Sequence, residues 1–405
     1  MATGPAKLPE LHPVAGVRLA YASAGIRKSG RRDLALLAMA EGSSVAAVFT
    51  TNAFCAAPVI VAREHLQAGS PRALLINTGS ANAGTGQAGI AAAQRSCAAL
   101  AGELDVAAEA VLPFSTGVIG EALAVDRIEA ALPALVAALN EDGWAGAAEA
   151  ILTTDTRPKG ASTRVEVNGI EVTVTGISKG AGMIRPDMAT MLAFVATDAP
   201  VSQAHLQGLL AEVTKRSFNR ISVDGDTSTN DACVLVATGA AGGEPLVPDG
   251  PGWQAFAGAI EAVCVALAQA IVRDGEGATK FITLDVTGAA SEAEARRVAE
   301  AVAHSPLVKT AFYAADPNWG RILAAVGRAG IADLDITGVD ISLGEVALVR
   351  GGEPAPGYTE AAGQAAMAEE DISVTIQLGR GESTTQLWTC DLSHDYVRIN
   401  AEYRS

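Results

Sequence analysis

No stretch of this 405-residue chain reaches the ~18 uninterrupted apolar residues that a membrane span needs, although 49% of it is hydrophobic. The segment from Met1 to Val17 lacks an apolar core and carries Pro5, Pro9 and Pro13, so it does not resemble an export signal and a cytoplasmic location is expected. No C-x-x-C pair occurs. The five cysteines (Cys55, Cys97, Cys233, Cys264, Cys390) are widely spaced and odd in number, which argues against a disulfide framework and for reduced thiols. The five histidines (His12, His65, His205, His304, His394) are equally scattered, without the close ligand spacing of a zinc site, and no metal is expected. Positive charge is scarce too. A net charge of −16 repels phosphate backbones, and the cluster Arg27, Lys28, Arg31, Arg32 is short and contains no aromatic residue, so nucleic acid is not an expected partner. Internal repeats and low-complexity linkers are absent.

What remains is enough chain for two or three domains with their own cores. Hairpins outnumber regular strand-helix-strand units, which points to an α+β fold, layered as an αββα-type sandwich, rather than a doubly wound sheet. The clearest hairpin joins Arg164–Val167 to Ile170–Val174 through Asn168-Gly169, the pair that best tolerates a type I′ turn, and its second strand runs on toward Lys179. Helices are expected at Ile90–Leu104, Arg127–Leu139, Gln203–Arg216, Trp253–Val272 and Glu292–Ala303, with Ser202 and Ser291 as N-caps. Polar, glycine-rich loops are expected at Asn77–Gly89, Ser115–Gly120, Ser178–Asp187, Asp224–Asp231, Asp274–Lys280 and Asp316–Arg321. From Phe281 the pattern restarts as strand, helix, strand, and Asp371–Arg404 is rich in alternating strand residues. The expected division is therefore a catalytic domain over 1–280 and a smaller α/β domain over 281–405 that completes the substrate site.

Two motifs have bland explanations. Gly84-Thr85-Gly86-Gln87-Ala88-Gly89 matches the G-x-G-x-x-G pattern, but seven residues separate it from the strand Ala73–Ile76, and the acid about 20 residues on, Glu109, precedes a strand instead of ending one. Asp224, Asp226 and Asp231 are closely spaced oxygen donors, but they lack the bidentate glutamate of a calcium loop and read as turn residues.

The segment Lys179-Gly180-Ala181-Gly182-Met183-Ile184-Arg185-Pro186-Asp187-Met188-Ala189-Thr190-Met191-Leu192-Ala193-Phe194 joins a glycine-rich loop to an apolar strand, with a small residue before a threonine. Attack of the Thr190 hydroxyl on the Ala189 carbonyl would turn the peptide into an ester. Water would then release a chain starting at Thr190, whose α-amino group, with an ordinary pKa of about 7.7–8.0, can take its own hydroxyl's proton. From composition alone, a threonine in an apolar run is an ordinary β-branched strand residue.

Further motifs change that weighting. They are Asn77-Thr78-Gly79-Ser80-Ala81-Asn82-Ala83, Ser115-Thr116-Gly117-Val118-Ile119-Gly120, the run from Ser217 through Asp224-Gly225-Asp226-Thr227-Ser228-Thr229-Asn230-Asp231, Asp316-Pro317-Asn318-Trp319-Gly320-Arg321, and the closing Tyr396 to Ser405. In this order, over nearly the whole chain, they resemble the ornithine acetyltransferase family, also called the bifunctional arginine biosynthesis proteins. The resemblance implies self-cleavage between Ala189 and Thr190, Thr190 as nucleophile, and Thr116 and Gly117 as oxyanion stabilisers. It implies substrate contacts at Thr153, Lys179, Thr190, Glu276, Asn400 and Ser405; the family often ends in threonine, so Ser405 keeps the hydroxyl and loses the methyl.

The implied reaction moves acetyl from N-acetyl-L-ornithine to L-glutamate through an acetyl-threonine, without an organic cofactor. Some members also accept acetyl-CoA as a donor, a point the residues leave open. The implied assembly is two noncovalently held pieces, paired as α2β2. Two other readings stand beside it: a self-processing N-terminal-nucleophile aminopeptidase or amidase, in which water resolves the acyl-enzyme, and a small-molecule binding protein that neither cleaves nor turns over.

Overall fold

In a computed structural model that describes residues 2–27, 30–185 and 191–402, the chain divides into two compact units. The larger comprises Ala6–Asn219 and Asp226–Ile271; the smaller comprises Met1–Pro5, Arg220–Gly225 and Val272–Ser405.

The larger unit contains two sheets. Strands β1 (Val17–Ala22), β2 (Leu34–Met39), β4 (Ala73–Ser80) and β5 (Val111–Val118) form one, in the order β1-β2-β4-β5, with β4 and β5 parallel. Strands β3 (Ser44–Phe49), β6 (Lys159–Val167), β7 (Ile170–Lys179), β8 (Leu192–Thr197) and β10 (Ala232–Ala237) form the other, in the order β3-β10-β8-β7-β6. Alternation explains how the layers stack. On β2, Ala35, Leu37 and Met39 enter a core shared with Ile76, Leu112 and Phe114 of the same sheet and with Ile177, Leu192, Phe194 and Val234 of the second. Leu34 and Leu36 point the opposite way and meet α1 (Ala57–Ala68), α2 (Gly86–Leu104) and α3 (Val125–Ala137) through Val61, Cys97, Leu100, Ile128 and Leu132. Helices α5 (Gln203–Arg216) and α6 (Trp253–Arg273) also lie in this unit, and a β-carbon at Gly176 of β7 would meet Val263 and Leu267 of α6. The α+β sandwich expected from the hairpins is thus the architecture found. A short helix, α4 (Trp144–Ala150), precedes the polar stretch at 153–159.

Local signals placed several elements. Asn168 and Gly169 take φ of 53° and 80°, and the hairpin they close pairs Val167 with Ile170 through to Lys159 with Ser178. Ser202 and Ser291 accept the N–H groups of His205 and Glu294, capping α5 and α7 (Glu292–Ala303). Helix α6 is long and apolar enough, by length and hydropathy, to cross a membrane. Its buried residues Phe256, Ile260, Val263, Cys264, Leu267 and Ile271 fall on one stripe, and Glu261 pairs with Arg216 at 3.2 Å, as in a core helix.

The smaller unit is built on a seven-stranded sheet from β9 (Ile221–Ser222), β11 (Phe281–Ala289), β12 (Asp340–Leu343), β13 (Val346–Arg350), β14 (Glu353–Pro354), β15 (Asp371–Gln377) and β16 (Ser383–Cys390). Its core joins Ile282, Leu284 and Val286 of β11 to Val298 and Val302 of α7, Phe312 of α8 (Pro306–Tyr313) and Ile322 of α9 (Trp319–Gly327). Helices α10 (Glu360–Ala368) and α11 (His394–Ala401) complete it. Two expectations need correction. The end of the chain, expected as alternating strands to Arg404, turns into α11 after Cys390, and the expected loops at Asn77 and Ser115 are strand until Ser80 and Val118. At 77–80 and 115–118 the local composition is polar, and the long-range pairing of β4 with β5 decides the outcome.

Phe114 and Phe194 join the two sheets of the larger unit edge to face, with ring centroids 5.1 Å apart. Phe194→Ala is expected to lower unfolding stability by about 3–5 kcal/mol, read as a shifted urea midpoint with an unchanged slope.

Candidate active site

The parallel strands β4 and β5 end together, with Asn77 opposite Ser115, Thr78 opposite Thr116 and Gly79 opposite Gly117. Three side chains hold that end. Ser115 Oγ donates to Asn77 Oδ1 at 2.6 Å, Asn77 Nδ2 donates to the Ser80 carbonyl at 3.1 Å, and Asn230 Nδ2 donates to the carbonyls of Ala81 at 2.6 Å and Ser115 at 2.9 Å. Asn230 is buried, so its amide ties the two strand ends where water does not compete. Gly117 has φ of 141°, and a β-carbon there would lie 2.4 Å from the carbonyl carbon of Gly79. Position 117 therefore requires glycine on both conformational and steric grounds.

Lys179 ends β7, paired with Leu192 at the start of β8. It is 5% exposed, and its ammonium donates to Thr116 Oγ1 at 3.1 Å. An ammonium has no acceptor, so the Thr116 oxygen must receive this bond and its own hydrogen points elsewhere. Met191 is buried, and its carbonyl accepts from Ala232 N–H at 3.1 Å. Thr190, Ala189 and Ser405 lie outside the described residues.

Thr153 follows α4, and its N–H donates to Asp155 Oδ2 at 2.9 Å. The Asp155 side chain is fully buried; its Oδ1 accepts from Lys159 Nζ at 2.6 Å and from Gly180 N–H at 2.7 Å. Burial alone would raise the Asp155 pKa, but the charges of Lys159 and Lys179 and the hydrogen bonds outweigh it and hold the carboxyl far below its ordinary value. Its folded pKa being depressed, the stability it contributes is complete above the unfolded carboxylate range, about pH 4, and is lost as pH falls toward the folded value. Sequence reasoning overlooked Asp155 and Asn230. A visible trace of the first was the i, i+4 spacing of Asp155 and Lys159.

In the smaller unit, Glu276 sits between Gly275 and Gly277 and is 8% exposed; its Oε2 accepts from Asn400 Nδ2 of α11 at 2.7 Å. The Gly277 carbonyl accepts from Ser393 Oγ at 2.7 Å, and the Asp391 carboxylate accepts from Thr279 N–H at 2.8 Å and Lys280 N–H at 2.9 Å, which fixes both flanks of that loop. The structure thus brings Thr116, Gly117, Lys179 and, through Asp155, Thr153 together in one unit, and Glu276 with Asn400 in the other. Asp224, of the acidic loop, accepts from the Tyr396 hydroxyl at 3.3 Å, and among the described residues no three His, Cys, Asp or Glu side chains converge as a metal site would need.

An open groove of about 820 Å³ lies elsewhere, along the start of α2, lined among others by Asn82, Thr85, Arg95 and Asp126. Arg95 is engaged there by Asp126 at 2.6 Å and Glu129 at 2.5 Å. Thr116, Lys179 and Thr153 do not line it, and the convergent polar groups, not this groove, mark the candidate site.

Comparison with known proteins gives the family. The model of the ArgJ family matches residues 18–405. The arginine biosynthesis bifunctional protein ArgJ of Pseudomonas syringae pv. tomato is 57% identical over 407 residues, covering 100% of both chains. The protein of the same name from Methylococcus capsulatus is 59% identical over 395 residues, 98% of this chain and 97% of its own. A crystal structure of the arginine biosynthesis bifunctional protein argJ from Bacillus halodurans superposes with a TM-score of 0.51 at 46% identity, 99% of that chain covering 52% of this one.

Two glycine substitutions should move stability in opposite directions. Gly117→Ala must push the β4–β5 end apart and should lower the thermal midpoint by several degrees or yield insoluble protein. Gly102→Ala, inside α2 with nothing near the added carbon, should stabilise by about 0.5–1 kcal/mol, and differential scanning calorimetry reads both.

Proposed function

The chain belongs to the ArgJ family and is a bifunctional enzyme of arginine biosynthesis, and from that premise we propose that it moves acetyl from N-acetyl-L-ornithine to L-glutamate through an acetyl-threonine on Thr190. The observation that supports this most is the contact of Lys179 Nζ with Thr116 Oγ1 at 3.1 Å, beside Gly117 at the end of β5. With its oxygen occupied by the ammonium, the Thr116 hydroxyl has its hydrogen available to an oxyanion, and the Gly117 N–H is the second donor of the proposal. One such donor is ordinarily worth about 2.7–4 kcal/mol of barrier.

The first step is self-processing. The Thr190 hydroxyl adds to the Ala189 carbonyl, the C–N bond breaks as the nitrogen takes a proton, and the resulting ester is cleaved by water. The Ala189 carboxylate and the Thr190 α-amine are the products. In turnover that amine takes the hydroxyl proton while the Thr190 oxygen attacks the acetamide of N-acetylornithine. The tetrahedral intermediate collapses, ornithine leaves with a proton on its nitrogen, and the glutamate amine then attacks the acetyl ester, restoring the hydroxyl. One amide replaces another, so little net driving force is needed.

Glu276, Asn400, Thr153 and Ser405 are the substrate contacts of this proposal. Glu276 can hold an ammonium group or pass a proton to the leaving amine. Acetylation of glutamate from acetyl-CoA, a cytoplasmic location and pairing into α2β2 belong to the same proposal.

Intact mass should give two pieces, 1–189 and 190–405, that co-elute in native chromatography, and Thr190→Ala a single uncut, inactive chain. With N-acetylornithine, the wild type should form N-acetylglutamate only when glutamate is present, and Thr116→Val should lower kcat about 10²–10³-fold. Free acetate released at the same rate without glutamate would replace the transferase with a hydrolase.

A further inference from the structure

We propose that Asp155 is a positioning residue of the acyl-transfer site, acting through the Lys179–Gly180 peptide on the Thr116 hydroxyl. The inference rests on the proposed role of Thr116 and deepens it. Asp155 was not singled out by its sequence, and none of the steps above uses it.

Its contacts exceed what an ion pair requires. A carboxylate that only neutralised Lys159 would need the 2.6 Å contact with that ammonium and nothing more. Asp155 also spends Oδ1 on the Gly180 N–H at 2.7 Å and Oδ2 on the Thr153 N–H at 2.9 Å. One fully buried side chain thereby fixes the backbone of two positions assigned to substrate contact, Thr153 and Lys179. The peptide it holds is the one that leaves β7: Gly180 has φ of 151°, outside the range that other residues readily adopt, and without an anchor its freedom would pass to the Lys179 side chain.

The charge adds a second effect. Lys179 is buried, and burial favours the neutral amine, which would accept a hydrogen bond from Thr116 instead of donating one. The Lys179 charge helps hold the Asp155 carboxyl ionised, and the same attraction acts in return on the ammonium. That sets the polarity of the chain Asp155, Lys179, Thr116 so that the last hydroxyl points its hydrogen away from Lys179. Asp155 thus acts on Lys179 twice, through the backbone at Gly180 and through its charge.

The test uses p-nitrophenyl acetate, an acyl donor with no amino-acid part, alongside the N-acetylornithine–glutamate exchange. Asp155→Asn keeps an acceptor oxygen and removes the charge; it is expected to fold, to leave KM within about twofold and to lower kcat about 10–100-fold with either donor, the scale of a misplaced catalytic group. Asp155→Asn with Lys159→Met removes both members of the ion pair. Its midpoint of unfolding should return toward wild type while kcat stays low. In a Thr116→Val background, Asp155→Asn should add almost nothing, because the two act through the same hydroxyl.

Recovery of kcat in the double variant would make Asp155 a counter-ion of Lys159 and overturn the proposal, as would additive losses with Thr116→Val. Insoluble protein from both Asp155 variants would assign the residue to folding alone, with the same result. A wild type that releases nitrophenolate but transfers nothing to glutamate would defeat the proposed function and leave the comparison of variants intact.

Discussion

Strands β4 and β5 can close at their shared end only because position 117 carries no side chain. The carbonyl carbon of Gly79 occupies the place a β-carbon would take, 2.4 Å from it. That approach lets β5 continue past Phe114 as strand and carries Thr116 to its edge on a rigid element. A hydroxyl delivered by a strand is held more precisely than one on a loop, which is what the oxyanion role proposed for Thr116 would require. The buried amide of Asn230, from a segment more than a hundred residues further on, then locks the pair by holding Ser115 and Ala81 at once. Behind it, Phe114 meets Phe194, so the strand that begins just after Thr190 packs on the strand that carries Thr116.

Elements written in neighbouring residues were legible. Asn168-Gly169 needs only its own turn preference to close a hairpin, and Ser202 and Ser291 need only the next turn of helix to cap it. The layered α+β class followed from the hairpins, and helices Gln203–Arg216 and Glu292–Ala303 stand where their periodicity puts them. What escaped was written at long range. Ser115-Thr116-Gly117 has the composition of a turn, and becomes strand because Asn77, Gly79 and Asn230 satisfy and fit it. The C-terminal run to Arg404 forms strand as far as Cys390, and His394–Ala401 beyond it is helix.

The candidate site was proposed from the sequence in a different way. Thr190, Thr116, Lys179 and Glu276 stand out only against a family pattern, because each residue type taken singly has a commoner use. Asp155 was hidden for a physical reason: Thr153 to Lys159 reads as a solvated polar loop, and nothing local says that its acid and its lysine have side-chain exposures of only 0% and 1%. Buried charge is costly unless paired, so its presence is more informative than its sequence neighbourhood. The pairing is also asymmetric in function, since the same carboxylate that neutralises Lys159 reaches the backbone at Gly180.

The sheet order β3-β10-β8-β7-β6 bears on how a chain cut before Thr190 would stay together. Strands β3, β6 and β7 precede the cut; β8 and β10 follow it. The later piece therefore contributes two adjacent central strands, with β10 hydrogen-bonded to β3 on one side and β8 to β7 on the other. Separation would strip both outer edges of that strand pair at once and expose Leu192, Phe194, Val234 and Val236, which are almost completely buried. Each unpaired buried backbone group and each bared apolar side chain would carry its own penalty. A chain cut before β8 would therefore keep the pairings of β10 with β3 and of β8 with β7 that join its two pieces.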